Sequence, residues 1–267
     1  DGLLEPRGDR DDSDEQPRVP VPERDKGEVR APRLRSVEHR LLDCSLVGEV
    51  HPPERGGQRK REQRDEHDAD VELAVEQAVA SRYLNCGQSC IAAKRFILAP
   101  EIADDFVDRM KARAAQLKMG DPSNDTIQLG PMAKRELRDE LHEQVANALE
   151  HGAIAVLGCE PAAGAGSYYP ASILDNVTPA MRIYREEAFG PVAIIIRAKD
   201  GMDAIRIAND SEFGLASSIW SKDYNRAEIL SEQVQAGATF INGMVRSDPR
   251  LPFGGIKASG FGRELSY

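Results

Sequence analysis

The chain has 267 residues, of which 40% are hydrophobic and 30% charged, and its formal net charge is −10. This length allows one large domain or two small ones, and the acidic balance argues against a nucleic-acid surface, which needs a basic stripe. No apolar run approaches the ~20 residues of a membrane span, and no leader suggests secretion. The four cysteines are too few and too scattered for a disulfide scaffold, so we expect a cytoplasmic protein.

Residues 1–67 differ in composition from the rest of the chain. Arg, Asp, Glu, Pro and Gly dominate there, nearly half of the residues are charged, and no aromatic residue occurs before Tyr83. Only residues 41–50 offer a short run that could be buried. Such a composition favours disorder. A frame-shifted translation of GC-rich DNA would also yield it, and both interpretations stay open.

From residue 68 onward, apolar residues recur with helix and strand periods. Val71, Ala74, Val75 and Ala78 form an apolar stripe that predicts a helix ending near Tyr83. Further helices are predicted at 102–117, 133–149, 201–209 and 225–235, and strands at 95–99, 154–157, 168–174, 192–197, 216–220 and 238–242. Alternating strands and helices predict an α/β domain over residues 68–267 with a largely parallel sheet flanked by helices. The wholly apolar strand 192–197 should be central.

The first candidate site is the sequence NCGQSC at residues 85–90, between a predicted helix and a predicted strand. A glycine-containing turn can present a thiol beside backbone N–H donors, which can activate the thiol and stabilise an oxyanion. Alone, the pattern is weak evidence, because free cysteines are usually inert core residues. A metal site at Cys86 and Cys90 lacks a second ligand pair, so no metal is predicted. A disulfide between these two cysteines under oxidation is a hypothesis.

Two more clusters are EEAFGP at residues 186–191 and PFGGIKASGFGRE at residues 252–264. Adjacent acids beside an aromatic residue suit a loop that hydrogen-bonds a ribose and lines one side of a flat ring. The four glycines of the second cluster predict unusual backbone angles. Each cluster by itself also fits an ordinary surface turn.

In this order and at these separations, the three clusters resemble the aldehyde dehydrogenase superfamily over residues 68–267. Three further sequences are similar to those of succinate-semialdehyde dehydrogenases that use NADP or NAD: RYLN at 82–85, AAKRFI at 92–97 and FINGM at 240–244. The resemblance implies an aldehyde dehydrogenase catalytic domain that oxidises an aldehyde, here succinate semialdehyde to succinate. It implies a homo-oligomer for the full-length family member. This chain stops at Tyr267, before the strand that similar enzymes lend to a neighbouring subunit.

The family's residue roles can be placed on this sequence where its motifs match. Cys90 matches the nucleophile, which would form a thiohemiacetal, give up hydride to the nicotinamide and leave a thioester for hydrolysis. The backbone N–H of Cys90 would be one oxyanion donor. Glu187 matches the acid that binds the nicotinamide ribose, and Phe189 matches the residue that packs beside that ribose and ring. Lys94 and Arg95 are basic positions without an assigned catalytic role.

Substrate selection is predicted from the loop before the PFGG sequence. Succinate semialdehyde ends in a carboxylate, which Arg and hydroxyl donors bind well. Arg246, Ser247 and Arg250 lie in the loop that lines the substrate tunnel in similar enzymes. We therefore expect Ser247 and one of the two arginines to bind the carboxylate. The alternative is that both arginines are solvated loop charges.

Family members also carry a dinucleotide-binding half ahead of this region and a Glu-Leu-Gly-Gly motif whose Glu is the general base. The nearest match here is ERGG at residues 54–57, which lies about two residues too far from Cys90 and has Arg in place of Leu. Glu54 is therefore only a weak candidate base. A cofactor-independent thiol esterase and a non-catalytic remnant are the alternative functions.

Overall fold

A computed structural model describes residues 69–265. The predictions for residues 1–67, Glu54 included, lie outside the described residues. The helices are α1 (Val71–Tyr83), α2 (Pro100–Ala114), α3 (Arg135–Glu150), α4 (Arg182–Arg185), α5 (Gly201–Asn209) and α6 (Tyr224–Ser231). The strands are β1 (Arg95–Leu98), β2 (Ile154–Leu157), β3 (Ser172–Asp175), β4 (Val192–Arg197), β5 (Phe213–Gly214), β6 (Ser217–Ile219), β7 (Thr239–Ile241) and β8 (Ile256–Lys257).

Most predicted elements are present, and the differences have local causes. β2, β4 and α5 have the predicted bounds. α2 begins at Pro100, two residues earlier than predicted, because the first helical position needs no backbone N–H. β3 is shorter than predicted, since Pro170 has no N–H for the ladder just before it. α1 begins as predicted, where the Asp70 side chain accepts the N–H of Leu73 at 3.0 Å.

The main sheet has four strands in the order β1-β4-β3-β2. β4 pairs in parallel with both β1 and β3, whereas β2 joins β3 antiparallel. Residues 192–196 of β4 are all buried, and successive strand residues point to opposite faces, so both faces of this strand are covered. α1 and α2 contact each other and β4. The predicted largely parallel sheet, with strand 192–197 in its interior, is therefore confirmed.

The later strands do not extend this sheet. β6 and β7 form a separate parallel pair, and β5 and β8 form an antiparallel pair. Residues of β1 and β6 line two cavities together, and the two strands form no hydrogen-bonded ladder with each other. The single sheet implied by the strand pattern is thus divided between β1 and β6 within residues 69–265.

No helix in the described part of the chain combines the length and apolar character needed to cross a membrane.

Candidate active site

The cysteine loop, residues 84–90, follows α1 through a sharp reversal of the backbone. Asn85, Cys86 and Gly87 have φ values of 51°, 55° and 69°, all in the left-handed region. Glycine adopts this region at little cost. A Cβ at Gly87 would also collide with the carbonyl oxygen of Gly190. The turn therefore requires glycine for two reasons, and it carries Cys90 to the surface.

Arg82 is a buried residue that the sequence analysis missed. Its guanidinium donates to the carbonyl oxygens of Gly87 (2.7 Å), Ala93 (3.0 Å) and Gly190 (2.6 Å). One cation thus joins the cysteine loop to the acidic loop, residues 186–191. Burial lowers the pKa of Arg82 to about 10, so it stays charged at neutral pH. Its position four residues after Ala78, on the apolar stripe of α1, was the available sequence signal.

The three described cysteines are free thiols in different surroundings. Cys90 is exposed and lines a cavity of about 410 Å³. Cys86 is buried and its Sγ donates to the carbonyl oxygen of Gly130 at 3.5 Å. Burial raises the pKa of Cys86 and of Cys159 to about 11. Among residues 69–265, Cys90 is therefore the thiol placed to meet a ligand, and its disulfide with Cys86 remains a hypothesis.

The two adjacent acids of the acidic loop have different partners. Glu186 accepts from Arg182 (3.0 Å) and Gln144 (2.9 Å), and these hydrogen bonds lower the pKa of Glu186. Glu187 instead pairs with Lys94, whose Nζ lies 2.9 Å from its Oε1. Both acids line the cavity that contains Cys90. The side chain of Glu187 is 40% exposed, so the carboxylate retains lone pairs for a further donor.

Phe189 is the aromatic residue of the acidic loop, and it is not among the residues that line the cavity of Cys90 and Glu187. Its side chain is 37% exposed, in the same loop as the free face of Glu187. The backbone beside it is held tightly, because a Cβ at Gly190 would approach the side chains of Leu141 and Met132. A carboxylate acceptor and an exposed aromatic ring on one rigid loop fit a ribose with its attached planar ring. The residues present therefore fit the nicotinamide riboside part of NAD or NADP.

A cluster of basic and aromatic side chains also lines the Cys90 cavity. The guanidinium carbons of Arg95 and Arg185 lie 4.7 Å and 5.0 Å from the centroid of the Tyr184 ring. The Tyr184 hydroxyl donates to Asp210 at 3.0 Å, and Arg185 pairs with Asp210 at 2.6 Å. These contacts hold α4 against the end of α5, so they fix the shape of the cavity on that side.

The predicted substrate residues lie in the loop after β7. Arg246 and Ser247 are exposed, and Arg246 pairs with no carboxylate among residues 69–265. Arg250 is 79% exposed and forms two hydrogen bonds with Asp248, at 2.9 Å and 2.7 Å. The neighbouring Val245 lines the Cys90 cavity, whereas these three polar residues lie beside that lining and outside it.

The glycines of residues 252–264 only partly follow the predicted backbone. Gly260 and Gly262 have φ values of 109° and 82°, as expected for unusual angles. Gly254 and Gly255 are not among the glycines with positive φ. A Cβ at Gly254 would clash with the carbonyl oxygen of Gly262, and one at Gly255 would crowd Ser259. Close packing, rather than backbone angle, is the constraint at these two positions.

The described residues contain no group of three or more His, Cys, Asp or Glu side chains that could hold a metal ion.

Comparison with known proteins identifies the family of the chain. The family model described as "Aldehyde dehydrogenase family" matches residues 66–267. The chain belongs to the aldehyde dehydrogenase family. This family member is 55% identical over 201 residues to the succinate semialdehyde dehydrogenase Sad, named as using NAD(P)+, of Escherichia coli strain K12. It is 48% identical over 198 residues to an NADP(+) succinate-semialdehyde dehydrogenase of Mycobacterium ulcerans.

Solved structures of aldehyde dehydrogenases are also similar to this chain. The succinate-semialdehyde dehydrogenase from Burkholderia pseudomallei matches with a TM-score of 0.72 at 36% identity, over 74% of this chain and 41% of that one. The succinic semialdehyde dehydrogenase from Streptococcus pyogenes, solved with NADP+ as the cofactor, also matches with a TM-score of 0.72 at 36% identity, over 74% of this chain and 44% of that one. The two curated relatives are matched over 75% and 74% of this chain, which spans 44% and 43% of their own lengths.

Proposed function

We propose that this aldehyde dehydrogenase family member oxidises succinate semialdehyde to succinate with NADP or NAD, using Cys90 as the nucleophile. The observation that carries the proposal is the position of Cys90. Its thiol lines one cavity together with the Glu187 carboxylate, while the other two described thiols are buried. The names of the matched relatives support the substrate and the cofactors.

In the proposed reaction, Cys90 Sγ attacks the aldehyde carbon and becomes covalently bound to the substrate. The backbone N–H of Cys90 donates to the oxygen on which negative charge develops, and a preorganised donor is worth most in a site that excludes water. A bound nicotinamide nucleotide would supply the hydride acceptor, and the proton lost as the thioester forms would pass to water. Cys90 then holds the acyl group as a thioester, which water hydrolyses to release the acid and the free thiol.

Glu187 and Phe189 are the residues that would hold the nicotinamide ribose. Glu187 would accept hydrogen bonds from ribose hydroxyls with the lone pairs that Lys94 leaves free. Phe189 would pack its exposed ring against the ribose and the adjoining planar group. Charge-assisted hydrogen bonds are stronger than neutral ones, so we expect Glu187 to contribute more to nucleotide binding than Phe189.

The carboxylate of the substrate is assigned to Ser247 and to one of Arg246 and Arg250. Arg246 is the stronger choice, because its guanidinium is exposed and lacks a carboxylate partner among the described residues. Arg250 would first have to leave Asp248, with which it forms two hydrogen bonds. A cytoplasmic location is part of the same proposal, since free thiols persist in a reducing compartment.

The test of the proposal is reduced-nicotinamide formation from succinate semialdehyde, measured with NADP and with NAD. We expect Cys90→Ala to lower the rate by at least about 10³-fold, because no other group replaces the nucleophile. Cys159→Ser is the matched control, since it removes a buried thiol outside the cavity and should leave the rate unchanged. A folded chain that forms no product with either nucleotide, or a Cys90→Ala variant that remains active, would overturn the proposal.

The substrate assignment has its own assay. We expect Arg246→Ala to raise KM for succinate semialdehyde by about tenfold while leaving KM for butanal unchanged, because a charged hydrogen bond contributes about 1.5–3 kcal/mol. Arg250→Ala is the comparison variant and should have the smaller effect. Equal changes in KM for the charged and the neutral aldehyde would remove Arg246 from the carboxylate site.

A further inference from the structure

Lys94 forms an unusual set of contacts beside the nucleophile. Its ammonium donates to the carbonyl oxygens of Ser89 (3.1 Å), Cys90 (3.1 Å) and Ala92 (3.3 Å). A fourth partner is Glu187, at 2.9 Å. The Lys94 side chain is only 16% exposed, so water competes weakly for these contacts. Three of the partners belong to residues 89–92, here called the Cys90 turn, and the fourth belongs to the acidic loop.

The backbone of Lys94 is fixed independently of its side chain. Its carbonyl oxygen accepts the N–H of Ile194 at 3.1 Å, where β1 and β4 begin to pair. The side chain therefore extends from a rigid strand end back over the Cys90 turn. An ammonium has three hydrogens to donate, and the four acceptors around it account for all of them. Lys94 is thus committed to holding these groups and has no donor left for a substrate.

We propose that Lys94 is a positioning residue for both halves of the active site. It holds the carbonyl groups of the Cys90 turn in one arrangement, so that the N–H groups of the turn keep a fixed direction. It also places the Glu187 carboxylate at a fixed distance from that turn, and it neutralises the charge of this carboxylate beside the thiol. The role rests on the proposed function of Cys90 and Glu187.

The experiment follows alkylation of Cys90 by iodoacetate and by iodoacetamide, without nucleotide or aldehyde. Iodoacetate is an anion and iodoacetamide is neutral, so the ratio of their rates reports the local charge, whereas the absolute rates also report the geometry of the turn. Burial raises the pKa of Cys86 and Cys159 to about 11, so both react slowly, and peptide mass spectrometry identifies the Cys90 product.

We expect Lys94→Met to slow alkylation by both reagents because the turn is no longer held. Beyond this common slowing, the ratio of the iodoacetate rate to the iodoacetamide rate should fall by about threefold, because Glu187 is left as an unpaired negative charge that repels the anionic reagent. The double variant Lys94→Met with Glu187→Gln should restore the ratio but not the absolute rates. A purely structural role for Lys94 would change both rates and leave the ratio unchanged.

Lys257→Met is the matched control. Lys257 also donates to two carbonyl oxygens, those of Asn209 (2.9 Å) and Ser211 (3.0 Å), but it has no contact with the Cys90 turn. We expect it to leave both alkylation rates at the level of the unaltered protein. If Lys257→Met and Lys94→Met behave alike, the positioning role is wrong.

A variant that fails to fold would not end the test. Glu187→Gln removes an exposed charge and should fold, and it leaves Lys94 as an unpaired cation. The rate ratio should then rise, which is the opposite sign to Lys94→Met, and an unchanged ratio would overturn the proposal. The alkylation assay needs no cofactor, so a failure to form reduced nicotinamide would contradict the proposed function without altering the Lys94 result.

Discussion

The sheet region, residues 69–200, and the C-terminal region, residues 201–265, are stabilised differently. β3 is buried throughout and β4 is buried except for Arg197, whereas β7 is only half-buried. The C-terminal region has a small apolar cluster of its own, formed by Ile205, Ile219, Ala227 and Leu230. It also exposes large apolar side chains, of which Phe261 is fully exposed. The sheet region therefore supplies most of the core.

This difference has a functional consequence. Cys90, Lys94 and Glu187 all belong to the sheet region, while Val245 and Ser259 of the C-terminal region line the other side of the cavity. Groups that must hold a reactive geometry are placed more accurately by rigid elements than by loops. Cys90, the proposed nucleophile, thus lies in the well-packed region, and the C-terminal residues that line its cavity lie in the weakly packed one.

The largest expected effect compares two arginines, one in each region. Arg82→Met should lower the free energy of unfolding by about 3 kcal/mol or more, because it leaves several buried carbonyl groups without a donor. Arg250→Met should leave it almost unchanged, since the Arg250 side chain is 79% exposed and solvent weakens its ion pair with Asp248. Urea unfolding of both variants measures the difference. Similar losses would show that the sheet region is not the better packed of the two.

A smaller difference is expected for two isoleucines that are both fully buried, Ile195 in β4 and Ile219 in β6. Ile195→Ala should lower the free energy of unfolding by about 3–5 kcal/mol, because the close-packed sheet cannot collapse into the space that the shorter side chain leaves. Ile219→Ala should be nearer to about 2 kcal/mol, since a four-residue cluster can rearrange more easily. Thermal and urea unfolding measure both losses, and a larger loss at Ile219 would reverse the comparison.

The smallest effect tests the contact between the regions at Asp210. Its hydrogen bond with Arg185 is the main cause that lowers the pKa of Asp210 below the usual value. A carboxyl group whose folded pKa is lowered stabilises the fold above the unfolded pKa of about 3.9 and loses this contribution as the pH falls through the folded pKa.

Asp210→Asn should therefore reduce the free energy of unfolding by up to about 1 kcal/mol near neutral pH. The difference from the unaltered protein should disappear in acid, where Asp210 itself is protonated. Asp108→Asn, at an exposed position of α2, is the control and should leave the free energy of unfolding nearly unchanged. A difference that persists at low pH would mean that the amide disturbs packing and that the ion pair is not responsible.

Much of the sheet region could be predicted from the sequence, because its signals are local. β2 and β4 begin and end where the apolar runs do, and α1 follows its apolar stripe up to Tyr83. The family motif around Cys90 likewise predicted a thiol in a glycine-containing turn. By contrast, the division of the strands among three sheets was not visible, because strand pairing depends on which edges meet in space.

The assignment of roles within the site was predictable only in part. EEAFGP presents two adjacent acids, and the resemblance pointed to Glu187, but the sequence gives no physical reason to separate it from Glu186. The structure separates them, because Arg182 holds one carboxylate and Lys94 holds the other. The contact with Arg182 is made within one helical turn, whereas the contact with Lys94 joins segments far apart in the chain.

The sequence by itself determined the α/β class, the bounds of α1, β2, β4 and α5, the cysteine turn and its resemblance to aldehyde dehydrogenases, because each depends on residues near one another in the chain. Only the tertiary structure decided that Arg82 is buried, that Lys94 joins the two halves of the site and that Cys86 is enclosed while Cys90 is open. The Arg82 contact with Gly190 spans 108 positions. Contacts of such separation leave no local pattern, since the packing of the whole sheet brings their partners together.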